Sequence, residues 1–178
     1  MKKLTPGGMK LLKAFHLLFA AMWICGAAAL MLGHHVAAPE TGDELYMKLR
    51  MLQLIDDWII IPGANGCLLT GVVYGAWTNW GFFKRRWLAV KWALTVLQIL
   101  FGTFFLGAWL NGNVELADRL RDAAFADARF VHDARMTGGW GLAQMSVLLL
   151  YIVISVYKPG KKPGRCGRHA LAQPRPRP

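Results

Sequence analysis

The fold is decided by an apolar segment, KAFHLLFAAMWICGAAALMLGHH, which runs from Lys13 to His35. Between residues 14 and 33 this segment is apolar except for His16. About 20 helical residues cross the hydrocarbon core of a bilayer, so the segment is long enough to span a membrane. An ionisable side chain inside a span is costly and marks a candidate functional site, which makes His16 the first residue of interest.

Three further apolar blocks follow, at residues 58–77, 87–110 and 140–157. The whole chain of 178 residues is 55% hydrophobic and 17% charged, whereas a soluble domain is about 25% charged. Each backbone N–H in lipid must be bonded within its own segment, so the blocks are expected to be helices. We therefore predict an all-α polytopic membrane protein. A single four-helix transmembrane domain would cover residues 1–160, with spans at about 14–33, 58–77, 87–110 and 140–157, and residues 161–178 would form a basic disordered tail.

The charges are divided between the two ends of this predicted bundle. Basic residues cluster at the N-terminus, at residues 84–86 and in the C-terminal tail, while all ten acidic residues lie in or beside the other two loops. Because cationic loops stay in the cytoplasm, both termini are predicted to be cytoplasmic. The net charge of +11 then follows from topology and from contact with anionic lipid headgroups, not from a nucleic-acid partner.

Both loops at the acidic end are predicted to be helical and amphipathic. The sequence TGDE at residues 41–44 has the spacing of a capping box, so the second helix is expected to begin near Thr41, outside the membrane. Pro62 is expected to kink this helix, and the mid-span Asn65 to bond to a neighbouring helix. Residues 113–136 also follow a helical pattern and are expected to lie along the membrane surface or over the end of the bundle.

His16 and Lys91 are predicted to lie at one depth in the membrane. Each follows a cytoplasmic basic residue, Lys13 or Arg86, by three to five positions on an outward-going helix. At about 1.5 Å per residue both sit roughly one turn or a little more below the cytoplasmic surface, where Tyr74 and Ser155 could join them. The alternatives are a hydrated imidazole and a lysine whose long stem extends to the headgroups.

A second group of candidate residues lies at the acidic end: His34, His35, Asp56 and Asp57. Imidazole and carboxylate ligands suit zinc or copper(II), so these four residues form a candidate metal site. Adjacent residues on a helix point about 100° apart, so at most one of the two histidines is expected to face the bundle. The alternative role for all four is helix capping and anchoring at the interface.

Two spaced motifs resemble a known group of proteins. The first span carries H-x6-W-x2-G at His16, Trp23 and Gly26, and the third carries W-x3-K at Trp87 and Lys91. This pairing resembles small bacterial membrane proteins that include HemJ-type protoporphyrinogen oxidases, CopD-type copper-resistance proteins and predicted integral membrane protein families of uncharacterised function. The overall layout is closest to the uncharacterised branch.

The resemblance implies a bacterial inner-membrane protein in which His16 is an axial ligand of haem b and Lys91 is needed for function. Trp23, Gly26 and Trp87 would then lie around the cofactor, with a porphyrin or a quinone as the reacting molecule. The first motif is also what helix packing would produce, because a bulky Trp23 beside Gly26 makes a knob and a hole.

Three functions follow from these observations and stay open at this point. The first is a haem-binding or quinone-linked redox protein with Lys91 and Tyr74 as catalytic residues. The second is CopD-like transport of a metal or small solute, which would need a homodimer because four helices are few for a transporter. The third is a non-catalytic assembly subunit, whose small-residue helix faces would pack against a partner.

Overall fold

A computed structural model describes residues 4–77 and 86–157. In this part of the chain there are α-helices and short helical turns and no strands. The α-helices are α1 (Pro6–Val36), α2 (Gly42–Ile55), α3 (Ile61–Trp77), α4 (Arg86–Phe101), α5 (Gly107–Leu120) and α6 (Ala128–Tyr157). A π-helical turn at Asp56–Ile60 joins α2 to α3, a second at Gly102–Leu106 joins α4 to α5, and a 3-10 segment at Arg121–Ala126 leads to α6.

The short turns make α2 continuous with α3 and α4 continuous with α5. Four helical segments are thereby long and apolar enough to cross a membrane: Pro6–Val36, Gly42–Trp77, Ala89–Ala126 and Ala128–Val153. The predicted all-α four-helix bundle is confirmed, and its helices extend beyond the apolar blocks from which they were predicted. The predicted tail at residues 161–178 lies outside the described residues.

The helices alternate in direction, so the bundle has two chemically different ends. The start of the chain meets the end of α3, where the backbone N–H of Leu4 donates to the carbonyl of Trp77 at 3.3 Å. We call this the basic end, because α1 starts there with Lys10 and Lys13. The opposite, acidic end carries α2, α5 and the 3-10 segment.

The outer faces of the long helices are apolar. Large apolar side chains are exposed on each of them, among them Leu17 (58%), Leu69 (65%), Leu97 (62%) and Trp140 (50%). A soluble protein rarely exposes so continuous an apolar surface. These faces are therefore compatible with contact with lipid.

Helices α1 and α3 make the closest helix contact in the bundle. A Cβ atom added at Gly63 would lie 2.7 Å from the backbone nitrogen of Trp23, and one added at Gly66 would overlap the ring of Phe19. Small residues permit such close approach of two helix backbones. This contact fixes which face of α3 lies against α1 and therefore which polar residues of α3 meet His16.

The acidic end is a packed cap and not a loose loop. Thr41 is the N-cap of α2, and its hydroxyl accepts from the N–H of Glu44 at 3.3 Å, as the capping-box spacing predicts. The Glu44 carboxylate accepts from the N–H of Glu40, one residue earlier than in the usual capping box. The apolar residues of α2 are buried against α5: Leu45, Leu49 and Leu52 with Leu110, Val114 and Ala117.

Pro62 and Asn65 differ from their predictions. Helix α3 continues through Pro62, and the irregularity lies just before it, where the Ile61 N–H bonds to the Asp56 carbonyl in a π-type turn. Asn65 donates to the carbonyl of Ile61 in its own helix at 2.9 Å and is exposed. It does not reach a neighbouring helix because α1 packs against the other face of α3, at Gly63.

Residues 113–136 are helical, but they are divided between two long helices. Helix α5 runs on from the third span to Leu120, and α6 begins at Ala128. The turn between them starts at Arg121, whose φ of 48° ends α5. Ala117 and Ala124 are completely buried there, so these residues close the end of the bundle and do not lie flat along the membrane.

Candidate functional site

His16 is held in one orientation by the neighbouring helix α3. Its Nδ1 lies 2.8 Å from the hydroxyl oxygen of Thr70, which is buried. That hydroxyl lies 2.7 Å from the carbonyl of Gly66 and 3.1 Å from that of Cys67, both in its own helix. We assign its single proton to the shorter of these bonds, the one to Gly66. On that assignment the imidazole donates Nδ1–H to Thr70, and in the neutral ring Nε2 keeps its lone pair. A histidine oriented in this way can bind a metal or accept a proton through Nε2.

Cys67 and Tyr74 complete the surroundings of the imidazole on α3. The Cys67 sulfur lies 3.9 Å from each ring nitrogen of His16. The Tyr74 ring meets the imidazole edge-on with 6.0 Å between centroids, and its hydroxyl donates to the carbonyl of Met9 at 3.4 Å. Tyr74, predicted as a catalytic residue, therefore contacts His16 and the start of α1.

Lys91 faces the bundle from α4. Its Nζ donates to the Ser155 hydroxyl at 2.7 Å and lies 5.7 Å from the centre of the Tyr151 ring, within the range of a cation–π contact. The Tyr151 ring packs in the same apolar cluster as Cys67, and Cys67 lies beside His16. His16 and Lys91, the two predicted residues, are thereby connected through Cys67 and Tyr151. We call this group the His16–Lys91 cluster, formed by His16, Cys67, Thr70, Lys91, Tyr151 and Ser155.

The hydroxyl of Tyr151, a member of this cluster, is buried. It lies near Thr95, but no hydrogen bond of good geometry forms between them. The Ser155 hydroxyl, in turn, donates to the Tyr151 carbonyl at 2.6 Å. Tyr151 thus offers the cluster a phenol group that is not committed to another hydrogen bond.

The three other residues predicted to lie near a cofactor have different surroundings. Trp23 is 6% exposed and packs in the core with Ala64 and Leu148. A Cβ at Gly26 would meet the side chains of Ile59 and Ile60 at 2.9 Å, so this glycine accommodates the second span. That contact favours the knob-and-hole interpretation of the first motif. The side chain of Trp87 lies outside the described residues.

The four candidate metal ligands belong to two different places. The rings of His34 and His35 lie 5.0 Å apart, and both face Gly138 on α6, where the prediction expected at most one to face inward. They meet there because Gly138 has no side chain and leaves room for both rings. Asp56 and Asp57 line a separate cavity. No three His, Cys, Asp or Glu side chains of the described residues converge to hold a metal, so a metal site here stays a prediction.

The cavity between the four spans was not predicted. It has a volume of about 500 Å³ and extends from Trp23 and Leu148 in the middle of the bundle to Asp56, Asp57 and Asn111 at the acidic end. Both π-helical turns contribute to its wall. We call it the acidic-end cavity. It lies in the range of small-molecule sites, which are mostly apolar with a few polar groups.

The sequence gives little indication that several residues of the two sites are functional candidates. Thr70 and Cys67 follow Gly66 and Gly63 on a helix, which places small and polar residues on one side of α3. That spacing could have indicated a helix contact. It could not show that His16 would be the residue opposite, because the pairing of helices is a property of the tertiary structure.

Comparison of the chain with protein-family models, with curated proteins and with solved structures found no match. The resemblance to the HemJ and CopD group therefore rests on its two motifs alone.

Proposed function

We propose that this chain is a redox protein of a bacterial cytoplasmic membrane, with both termini in the cytoplasm. The His16–Lys91 cluster would be its active centre and would serve a porphyrin- or quinone-type molecule. The observation that carries this proposal is the oriented imidazole, whose Nδ1–H is taken by Thr70 and whose Nε2 is left for a ligand or a proton. Its position near the basic end gives the centre access from the cytoplasmic side.

The chemistry of the cluster suits a redox molecule that gains or loses protons. Nε2 of His16 would accept or return a proton, and Lys91 would donate hydrogen bonds to a carbonyl or carboxylate oxygen while its positive charge favours a developing anion. The uncommitted Tyr151 hydroxyl lies on the same side as Lys91. Tyr74 would limit the movement of the imidazole through its ring contact.

His16 is chemically suited to bind haem b, but the acidic-end cavity does not extend to His16. His16 Nε2 is a suitable axial ligand, and a haem bound there would supply one-electron transfer at a potential set partly by the imidazole. The acidic-end cavity, however, has no histidine in its wall. It begins at Trp23, seven residues and roughly 10 Å along α1 from His16. A haem on His16 would need a different space, so no step of the proposed chemistry depends on it.

The absorption spectrum of the purified protein in mild detergent is the first test, followed by extraction of bound quinone and assay of quinone reduction. We expect a bound chromophore or quinone whose yield falls at least tenfold in both His16→Ala and Lys91→Met. His132→Ala, which changes an exposed histidine, is the matched control and should keep the wild-type yield. A colourless protein that binds neither haem nor quinone after both are added would contradict the proposal.

Transport of a small solute is a second candidate, favoured by the two π-helical turns beside the acidic-end cavity. Irregular backbone at a site within the membrane is a common feature of transporters. This function requires a homodimer or another partner to complete a pathway. Vesicles reconstituted with the protein would then accumulate a solute that protein-free vesicles exclude, and cross-linking would give a dimer.

A further inference from the structure

The acidic-end cavity has an uncompensated negative charge. Asp56 is partly buried in its wall and Asp57 lies beside it, and within residues 4–77 and 86–157 neither carboxylate has an ion-pair partner. The described wall contains no Lys, Arg or His. Ionisable side chains within a membrane protein are usually paired, and a bound cation could supply the partner that the described residues do not.

The same wall also contains a buried amide oxygen that has no hydrogen-bond partner. Gln98 is 6% exposed, and its Nε2 donates to the carbonyl of Gln144 at 2.9 Å. This bond fixes the orientation of the amide and leaves the buried Oε1 oxygen with no hydrogen bond. Leaving a buried acceptor unpaired destabilises the fold. An occupant of the cavity that carries positive charge would stabilise this oxygen.

The rest of the cavity wall suits the apolar groups of an occupant that carries a positive charge. Trp23, Met31, Met145 and Leu148 line the cavity, and aromatic rings attract cations as well as apolar groups. Asn65 and Thr103 line it too and are exposed on the surface of the bundle, so the cavity opens within the apolar belt. A ligand can then enter from the lipid. An oxidised quinone is a poor match, because its carbonyl oxygens would face carboxylates and an amide oxygen.

We propose that the acidic-end cavity is a binding site for a lipophilic organic cation, with Asp56 as its counter-ion. The site is distinct from the His16–Lys91 cluster and does not depend on the redox function proposed for it. The cation sits among Trp23 and the methionines, with its positive centre toward Asp56 and Gln98. Its apolar groups occupy the part of the cavity that opens to the bilayer.

Two ions of the same shape and opposite charge test this proposal. Equilibrium dialysis of the purified full-length protein in detergent would measure binding of tetraphenylphosphonium and of tetraphenylborate. We expect saturable binding of the cation and at least tenfold weaker binding of the anion. Equal binding of both ions, or no saturable binding of the cation, would overturn the proposal.

Three variants locate the charge. Asp56→Asn keeps the size of the side chain and should weaken tetraphenylphosphonium binding at least tenfold, whereas Glu115→Gln, at an exposed carboxylate outside the cavity, should not change it. Unchanged binding in a folded Asp56→Asn protein would overturn the proposal. If that variant does not fold, Asn65→Asp provides the test, because it adds a third carboxylate to the wall beside Asp56 and Asp57. Binding should then be several-fold stronger, and unchanged binding would overturn the proposal. His16→Ala should bind the cation normally, which separates this proposal from the redox function.

Discussion

The orientation of His16 depends on a single hydroxyl. In the assigned arrangement Thr70 accepts from Nδ1–H, because its own proton is donated to the carbonyl of Gly66. A free imidazole favours protonation at Nε2, so the tautomer expected here exists only because α3 provides this acceptor. A residue that neither binds a ligand nor titrates thus decides which nitrogen of His16 is available for chemistry.

Replacement of Thr70 by valine tests this dependence. We expect nitrogen-15 NMR of the wild-type neutral imidazole to show protonation at Nδ1, and Thr70→Val to shift it to Nε2, because the acceptor is lost at nearly constant side-chain volume. Thr137→Val is the control, since Thr137 donates in the same way to a carbonyl four residues earlier, at 2.8 Å, and among the described residues no histidine bonds to its hydroxyl. A wild-type ring protonated at Nε2 would contradict the assigned hydrogen bond.

The sequence predicted the depth of His16 and Lys91 but only some of their partners. Depth follows from counting residues from the basic end, and Ser155, expected at the same depth, bonds to Lys91. Thr70 and Cys67 stayed unrecognised because short polar side chains are common in spans, where they bond to their own helix. Only the contact between α1 and α3 gives these two residues a role beside His16.

Helix packing at the element scale is controlled by the glycines of α3. Gly63 and Gly66 let α1 approach so closely that the Trp23 backbone and the Phe19 ring occupy the space of two missing side chains. The sequence predicts a kink at Pro62, the first residue of PGANG (residues 62–66). The glycines of this segment instead mark the helix contact, and the irregular turn lies before the proline.

A large residue at Gly63 should separate these two helices. Gly63→Leu is expected to lower the free energy of unfolding by about 1–3 kcal/mol, the usual range for overpacking. Gly139→Leu is the matched control, because a Cβ there meets no atom within 4 Å. Unfolding by titration with a denaturing detergent would measure both. Equal stability of the two variants would show that the α1–α3 contact is less tight than described.

One lysine of α2 forms hydrogen bonds with the end of α1. Lys48 donates to the carbonyl oxygens of His34 at 3.0 Å and Ala37 at 2.7 Å, which are unsatisfied acceptors at a helix end. Lys48→Met should therefore loosen residues 34–41, with a loss of about 1 kcal/mol because the site is partly exposed to solvent. Hydrogen exchange of these amides should be faster in Lys48→Met and unchanged in Lys10→Met at the other end of the bundle.

The two polar sites of the molecule differ in charge and lie at different depths in the bundle. The His16–Lys91 cluster lies toward the basic end, and the acidic-end cavity opens on the other half of the bundle. Trp23 lies between them, buried in the core. The arrangement would allow one chain to bind a ligand from each side of a bilayer.

The orientation of this arrangement can be measured by cysteine labelling. In a background free of native cysteines, Gly7→Cys at the basic end and Asp118→Cys at the acidic end are both at exposed positions. A membrane-impermeant maleimide added to intact spheroplasts should label residue 118 and should label residue 7 only after the membranes are broken. The reverse pattern would place the termini outside and remove the cytoplasmic assignment of the redox centre.

The sequence by itself determined the number of spans, their approximate limits and the separation of charge between the two ends. These properties follow from local composition, because each helix in lipid satisfies its own backbone and needs no neighbour to form. It also determined the N-cap of α2, which depends on residues three positions apart.

Only the tertiary structure decided which helix faces meet. Almost every residue of a span is apolar, so the sequence gives little indication of the buried face, and packing is settled by the shapes of a few residues such as Gly63 and Trp23. The hydrogen bond from His16 to Thr70, the gathering of Lys91 with Ser155 and the acidic-end cavity all depend on that packing. They join residues far apart in the chain, which no local pattern can bring together.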